Sequence, residues 1–267
     1  MRPTSLALTA GVAAAATAAV LRTERRGRLP GAHRWRRTNH AGAEVTLAEG
    51  LALAAGTTLP LLVADPPAAC AVTGAALAGA VDDLDGGATA AKGLRGHLGA
   101  LRRGEVTTGT LKIVALLGSG LAACAWSDRR AGCATGWSTV AGAGLVAGSA
   151  NLANLLDLRP GRALKVALAL GLPLALRGRP AAAAVCAAGA VALPPDLRGE
   201  TMLGDTGANP LGAAVGIAAA QALGRRGRLA ALAVVAGLTL LSERVSFTRV
   251  IEATPVLREL DGWGRPR

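Results

Sequence analysis

The sequence is poor in aromatic and charged residues, and these shortages exclude several classes of protein. It contains no Tyr, one Phe and four Trp, and charged residues make up only 17% of its 267 residues. About half of the chain is hydrophobic, at 51%, which is too much apolar surface for a soluble domain of ordinary composition. These features indicate a membrane as the solvent of this protein.

Cysteine and histidine are scarce as well, and both are usual ligands of metal and redox centres. The four cysteines show no Cys-x-x-Cys spacing, so the sequence supports neither a zinc site nor a redox motif. Cys124 and Cys133 flank one short loop and could pair in an oxidising exterior, but the simpler interpretation is that all four cysteines are small apolar side chains.

The three histidines, His33, His40 and His97, all precede residue 100. His97 is a general-acid candidate, although a solvated loop histidine is the simpler interpretation.

Nine apolar segments are long enough, or nearly long enough, to cross a membrane. A helix that crosses about 30 Å of hydrocarbon at about 1.5 Å per residue needs on the order of 20 mostly apolar residues. The segments are residues 4–21, 44–64, 67–81, 107–126, 134–150, 163–176, 180–194, 208–223 and 228–242. We therefore predict an all-α fold, a polytopic transmembrane bundle of about nine helices that forms one domain over residues 1–242. Residues 243–267 are predicted to form a cytoplasmic amphipathic tail.

The composition of these segments predicts a compact bundle. They are built from Ala, Gly, Leu and Val, and small residues such as Gly142, Gly144 and Gly148 would let neighbouring backbones approach closely. The short segments 67–81 and 163–176 could instead be interfacial or re-entrant, because each has fewer than about 17 apolar residues.

The charges around the first segment favour a transmembrane helix with its N-terminus outside. A signal peptide carries its positive charge before the apolar region, whereas Arg2 alone precedes this segment and Arg22, Arg25, Arg26 and Arg28 follow it. A signal peptide remains the alternative, because the segment is rich in Ala and ends in small residues.

The net charge of +12 comes from basic residues whose positions indicate which side of the membrane each connection faces, and it does not indicate a nucleic-acid partner. With the N-terminus outside, most of the 29 Lys and Arg lie on the inner side, in residues 22–37, 92–112, 159–165 and 244–267 and at Arg198. This asymmetry agrees with the positive-inside rule. The exceptions on the outer side are Arg129, Arg130, Arg177, Arg179, Arg225, Arg226 and Arg228. We therefore predict a multi-pass protein of the plasma membrane with a cytoplasmic C-terminus and no nucleic-acid partner.

Most carboxylates fall on the inner side, in three separate connections between helices. The first connection holds Asp82, Asp83 and Asp85, where adjacent negative charges repel one another and gain nothing from the dipole of a helix C-terminus. This arrangement suits a cation or a phosphate–metal complex, because Mg²⁺ prefers carboxylate oxygens and shares its remaining positions with substrate phosphates. The alternative is a hydrophilic loop that merely ends the apolar segment.

The second connection carries Asn151, Asn154 and Asp157 at steps of three residues, which places them on neighbouring positions of one helix face. Amides and a carboxylate at membrane depth usually face the bundle interior or a polar cavity. Hydrogen bonding between helices is the alternative explanation of this polar face.

The third connection reads Gly-Asp-Thr-Gly-Ala-Asn-Pro over residues 204–210. Asn209 before Pro210 is a good pair for the N-cap and first position of a helix, so we predict a helix start there, with free backbone N–H groups near Asp205. Such a helix end attracts phosphate. A tight turn with a cap is the alternative.

Basic residues follow the first connection and could neutralise phosphate oxygens as point charges or as planar forks. They are Lys92, Arg95, Arg102 and Arg103. Taken singly, each is also explained as an ordinary inner-side charge.

Taken in order, the three acidic motifs resemble those of the polyprenyl-phosphate sugar-1-phosphate transferases. The order is Asp-Asp after the third segment, Asn-x-x-Asn-x-x-Asp after the fifth and Gly-Asp-x-Gly before the eighth. This superfamily, of the glycosyltransferase 4 type, includes phospho-N-acetylmuramoyl-pentapeptide transferase and the polyprenyl-phosphate N-acetylhexosamine-1-phosphate transferases. The resemblance extends from about Arg37 to Phe247.

The resemblance implies a bundle of about ten helices with a cytoplasmic cleft. It implies Mg²⁺-dependent transfer of a sugar-1-phosphate from a nucleotide-diphosphate sugar to polyprenyl phosphate, in the synthesis of cell-envelope glycans such as peptidoglycan. The acceptor and the donor are both anions, so a metal and fixed dipoles must cancel their repulsion and hold the in-line geometry.

The resemblance also implies roles for individual residues. Asp205 matches the metal-binding aspartate, and Asp157 would help to hold the metal and the diphosphate. Asp82 and Asp83 match the paired aspartates, one of which positions or deprotonates the lipid phosphate. The residues implied in substrate binding are Lys92, Asn151, Asn154, Gly204, Gly207 and Asn209.

The sequence also departs from the family pattern. Members that use amino-sugar nucleotides carry a His-rich cytoplasmic loop before a tenth helix, and the sequence shows neither. Aromatic residues that could wall a nucleotide are lacking, since Phe247 is the only Phe and Trp263 lies in the tail.

These departures keep two other functions open. One is a non-catalytic relative that binds polyprenyl phosphate or a lipid-linked intermediate as a scaffold in an envelope complex. The other is a secondary transporter, which would explain intramembrane polar residues, although the sequence shows no internal repeat. The oligomeric state is also open, and a homodimer is compatible with the sequence.

Overall fold

The computed structural model of the protein describes residues 3–38, 42, 44–85, 99, 103–104 and 107–266. Within these residues the fold consists mainly of eleven α-helices. They are α1 (Pro3–Arg25), α2 (Ala48–Ala64), α3 (Pro66–Asp85), α4 (Thr108–Arg130), α5 (Trp137–Leu156), α6 (Arg162–Leu176), α7 (Pro180–Leu197), α8 (Gly204–Ala222), α9 (Arg225–Ser242), α10 (Phe247–Ala253) and α11 (Pro255–Gly262). A short 3-10 helix (Ala32–Trp35) and two antiparallel strands, β1 (Arg36–Thr38) and β2 (Glu44–Thr46), connect α1 to α2.

The predicted all-α class is confirmed, and each predicted apolar segment falls on one of the helices α1–α9. The second segment differs at its start, because residues 44–46 form β2 and the helix begins at Ala48. Val45 and Thr46 are β-branched residues, which favour extended backbone. The backbone N–H of Met202 donates to the Thr46 carbonyl at 3.0 Å, so the hairpin also contacts the loop before α8.

Helix α8 is buried along nearly its whole length and forms the centre of the bundle, with α2, α3 and α5 packed around it. Small residues allow this close approach. Gly207 lies against Gly50 of α2, and Gly212 lies against the backbone of Ser149 in α5. A methyl group at either glycine of α8 would overlap its neighbour, so the packing of α8 depends on backbone-to-backbone contact.

The glycines of α5 also face neighbouring helices, as their sequence pattern predicted. Gly142 lies against Cys124, Gly144 against Leu232 and Gly148 against Val235. All four cysteines are free thiols, so the pairing of Cys124 and Cys133 that the sequence left open is not present.

Four helices are long and apolar enough to cross a membrane within the described part of the chain: Thr4–Arg25, Thr108–Arg130, Trp137–Leu156 and Pro180–Leu197. Helices α9 and α10 add a fifth if this bent pair is counted as one crossing. Large apolar side chains such as Leu8, Val63 and Leu176 lie mostly exposed, whereas the core consists largely of Ala. A water-soluble protein exposes few large apolar side chains in this way. Such an exposed apolar surface is typical of an integral membrane protein.

A buried ion pair joins α4 to α9 at the end of the bundle where α4 stops and α9 begins. Arg228 donates to both carboxylate oxygens of Asp128, at 2.8 and 3.1 Å, and Thr139 Oγ1 donates to Asp128 Oδ2 at 2.7 Å. Arg228 Nε also donates to the Ala220 carbonyl at 2.7 Å. Such complete hydrogen bonding is what a buried ion pair requires. One exception to the predicted charge asymmetry, Arg228, therefore has a carboxylate partner.

We expect Asp128→Ala to destabilise the fold by about 3–5 kcal/mol, because the Arg228 charge would remain buried without its partner. Thermal unfolding in detergent measures the loss. The control is Glu44→Ala, which removes an exposed ion pair with Arg36 and should cost less than about 1 kcal/mol. Equal unfolding temperatures for the two variants would contradict the importance of the buried pair.

Candidate active site

Helix α8 begins inside the protein, where its first backbone N–H groups need partners other than water. The prediction that this helix starts at Asn209 and Pro210 is wrong, because the helix begins at Gly204. Gly204 has a φ of +56°, a left-handed conformation that glycine adopts without strain. The helix can start earlier than expected because its caps come from two other helices.

Asp83, in the last turn of α3, provides the first of these caps. Its Oδ1 accepts a hydrogen bond from the Asp205 N–H at 3.1 Å. Its Oδ2 accepts from the N–H and the hydroxyl of Thr206, at 2.8 and 2.6 Å. A carboxylate at a helix N-terminus is stabilised by these bonds and by the helix dipole. The first turn of α8 is therefore capped by a side chain of the protein, and the N–H groups that were predicted to be free near Asn209 lie inside the helix.

Asp157, which follows α5, meets the same helix start. The backbone N–H of Gly204 donates to its side chain. Burial raises the pKa of the Asp157 carboxyl well above its usual range, and the negative charges of Asp196, Asp205 and Asp83 act in the same direction. The three acidic motifs of the sequence thus come together at the first turn of α8.

Asp82 and Asp205 lie side by side, and the Lys112 ammonium contacts both. Lys112 Nζ is 3.3 Å from Asp82 Oδ2 and lies closer still to Asp205 Oδ2. The two carboxyl groups are also near enough to hydrogen-bond to each other. One ammonium balances two carboxyl groups that share a proton and leaves one negative charge in excess when both are ionised. Carboxyl groups held this close together are frequent at functional sites.

The predicted amides lie along the contact between α5 and α8. These helices run antiparallel, with Gly216 against Val146 and Gly212 against Ser149, and this register brings Asn209 level with the segment 151–154 of α5. Asn209 is completely buried, and neither amide atom has a hydrogen-bond partner among the described residues. An unused donor and acceptor therefore lie one helical turn beyond Asp205.

The other predicted binding residues have different placements. Asn151 is half-buried in the last part of α5, and Gly207 serves the packing against α2. Lys92 lies outside the described residues. The cation that contacts the carboxylates in the described part of the chain is Lys112.

Two more carboxylates lie close to Asp157. Glu49 is fully buried and accepts a hydrogen bond from Thr201 Oγ1, while Asp196 accepts from the Gly161 N–H at 2.9 Å. A small cavity beside them is lined by Asp157, Leu158, Arg159, Pro160, Asp196, Gly199, Thr201 and Met202. The sequence analysis missed Glu49 and Lys112 as site residues. Each is a charged residue within a predicted apolar segment, and such a residue usually has a functional role or a charged partner.

The carboxylates are compatible with a magnesium ion that substrate phosphates help to bind. In the described residues, no three His, Cys, Asp or Glu side chains are grouped closely enough to hold a metal ion by themselves. Mg²⁺ in phosphate chemistry usually takes one or two carboxylates and fills its other positions with phosphate oxygens and water. Asp82 and Asp205, with Asp157 nearby, offer a donor set of this kind.

Comparison of the chain with known protein families, with curated proteins and with solved structures found no match. The fold and the site together define a helical membrane protein with an acidic, partly buried cluster at one end of its bundle.

Asp83→Ala tests the cap of α8. We expect a loss of about 1–3 kcal/mol in stability, because the N–H groups of Asp205 and Thr206 would be left buried without acceptors. Hydrogen exchange of the peptide that spans α8, followed by mass spectrometry, should become faster. Asp85→Ala is the matched control, since Asp85 is exposed in the same helix turn. If exchange in Asp83→Ala stayed at the rate of the unaltered protein, the capping role would be refuted.

Proposed function

We propose that the protein transfers a sugar-1-phosphate from a nucleotide-diphosphate sugar to polyprenyl phosphate, with Mg²⁺, in the synthesis of a cell-envelope glycan. An oxygen of the acceptor phosphate would attack the phosphorus that carries the sugar, the bond from that phosphorus to the bridging oxygen would break, and the nucleoside monophosphate would leave. The observation that carries the proposal is the meeting of three acidic motifs at one helix start. Asp82, Asp83, Asp157 and Asp205 come from three helices and share one network of contacts.

We infer that this network faces the cytoplasm from a multi-pass protein of the plasma membrane. Arg159 lies in the loop at the same end of the bundle and Arg162 begins α6 there, and the basic C-terminal segment contacts both. The same end also carries the basic residues of the connection between α1 and α2, so more Lys and Arg lie there than at the opposite end, which holds Arg129, Arg130, Arg177, Arg179, Arg225, Arg226 and Arg228. The positive-inside rule places the first of these ends on the inner side.

The proposed reaction brings two anions together, so the site must supply positive charge. Asp205 and Asp157 would hold Mg²⁺ together with donor phosphate oxygens, and the ion would neutralise the charge on those oxygens. Lys112 would add a fixed positive charge beside the same phosphates. Electrostatic stabilisation of this kind is the main contribution that a protein makes to phosphoryl transfer.

Asp82 is proposed to orient the acceptor phosphate, because it lies beside Asp205 and shares the Lys112 contact. A strong general base is not required, since a phosphate monoester has a second pKa of about 6 and is largely ionised at neutral pH. Asp83 acts mainly by holding the first turn of α8, and therefore Asp205, in position.

A second candidate function is binding of polyprenyl phosphate or a lipid-linked intermediate without catalysis, as a scaffold in an envelope complex. The contacts of Lys112 favour this candidate, because the ammonium already compensates part of the charge of Asp82 and Asp205. A cluster balanced in this way can hold helices together without a metal ion.

The proposal is tested by lipid labelling in proteoliposomes that contain the purified protein, polyprenyl phosphate, Mg²⁺ and a set of labelled nucleotide-diphosphate sugars. We expect Asp205→Asn to lower the rate of labelled-lipid formation by about 100- to 1000-fold, since one essential charge of the site is removed. A chelator of divalent cations should abolish product formation in the unaltered protein.

Asp85→Asn is the control, because this exposed carboxylate has the same charge and lies next to the cluster. It should retain the original rate. Undiminished product with Asp205→Asn would contradict the proposal. Absence of product with every sugar, combined with binding of polyprenyl phosphate that persists under chelation, would favour the scaffold.

A further inference from the structure

The chain turns sharply after α9. The axes of α9 and α10 differ by 92°, and the end of α9 exposes Leu238, Leu240 and Leu241. These two helices reach the length and apolar composition of a membrane crossing only when the bent pair is counted together. Helix α10 therefore runs roughly at a right angle to α9, and α11 follows it after a single residue, Thr254.

One side of the C-terminal segment, defined here as residues 247–265, is apolar and exposed. Val256 and Leu260 are one helical turn apart on α11, with exposed fractions of 66% and 58%, and Trp263 is 74% exposed just beyond the helix. Arg258 lies on the opposite face of α11. The segment thus separates an apolar face from a charged one, the pattern of a helix that lies in a membrane interface.

The polar side of the segment is attached to the bundle. Arg162, which is buried, donates to both carboxylate oxygens of Asp261 at 2.7 and 2.9 Å. Lys165 Nζ donates to the Asp261 carbonyl at 2.6 Å, and Arg265 Nε donates to the Pro160 carbonyl at 2.8 Å. These bonds fix the rotation of α11, so its apolar face cannot turn inward.

We propose that the C-terminal segment is an interfacial strap, whose apolar face lies among the headgroups and upper acyl chains of the leaflet beside the acidic cluster. The residues that hold the segment, Pro160, Arg162 and Lys165, follow shortly after the candidate crossing Trp137–Leu156, so the apolar face lies at the boundary of the membrane, which favours lipid over a protein partner. A Trp side chain is the typical residue at this depth, because its ring is apolar and its N–H is polar.

Spin labelling of the full chain in nanodiscs of phosphatidylcholine and phosphatidylglycerol tests the proposal. A nitroxide is attached at Leu260→Cys or at Arg258→Cys, in a background where the four native cysteines are replaced by Ala. We expect a positive depth parameter at position 260, where oxygen collisions dominate, and a negative one at position 258, where a water-soluble nickel chelate dominates. Both side chains are exposed, so neither label disturbs the core.

Val256→Cys provides a second apolar position and should give the same sign as Leu260→Cys. Equal nickel accessibility at positions 258 and 260 would overturn the proposal, because the apolar face would then lie in water. Dipolar broadening of the spectrum at position 260 would mean that two labels lie close together. The apolar face would then be covered by a second copy of the chain, and the proposal would be overturned. Protection of position 260 from both reagents would overturn it in favour of burial against protein.

Discussion

The capping of α8 by carboxylates from other helices is the interaction on which the rest of the structure depends. A helix that starts inside a membrane protein has N–H groups that water cannot reach, and each unsatisfied group costs about 1–3 kcal/mol. Asp83 and Asp157 satisfy them at Gly204, Asp205 and Thr206. The bonds that make a buried helix start possible therefore also gather the acidic residues into one cluster.

Small residues make these caps geometrically possible. Gly79 of α3 lies directly against the backbone of Asp205, and any side chain there would overlap it. Asp82 and Asp83 follow one turn later on α3, so the contact at Gly79 sets how closely their carboxylates approach α8. Hydrophobic attraction does not drive helices together in lipid, and close packing and hydrogen bonds take over that role. The small residues at the helix contacts and the acidic site are therefore linked, because the close packing sets the positions of the carboxylates.

Hydropathy predicted the helices α1–α9, because a buried or lipid-facing helix needs a continuous apolar run, whereas the short helices α10 and α11 have no such run and were not predicted. The order of the motifs was sufficient to predict that Asp82, Asp83, Asp157 and Asp205 lie together. The start of α8 could not be predicted, because capping rules consider only neighbours in sequence, whereas its caps come from distant helices. Lys112 was overlooked because it lies inside an apolar run, where only its charge distinguishes it.

The region after Asp157 contacts both the start of α8 and the C-terminal segment. The candidate site is therefore linked to the C-terminal end of the chain. On one side, Asp157 accepts from the first residue of α8. On the other, Arg159 and Arg162 pair with Glu252 and Asp261 of the C-terminal segment. Arg162 is buried, so its charge depends on Asp261 for compensation and the pair cannot separate without a large cost. The position of Asp157 is therefore determined jointly by the centre of the bundle and by the C-terminal segment.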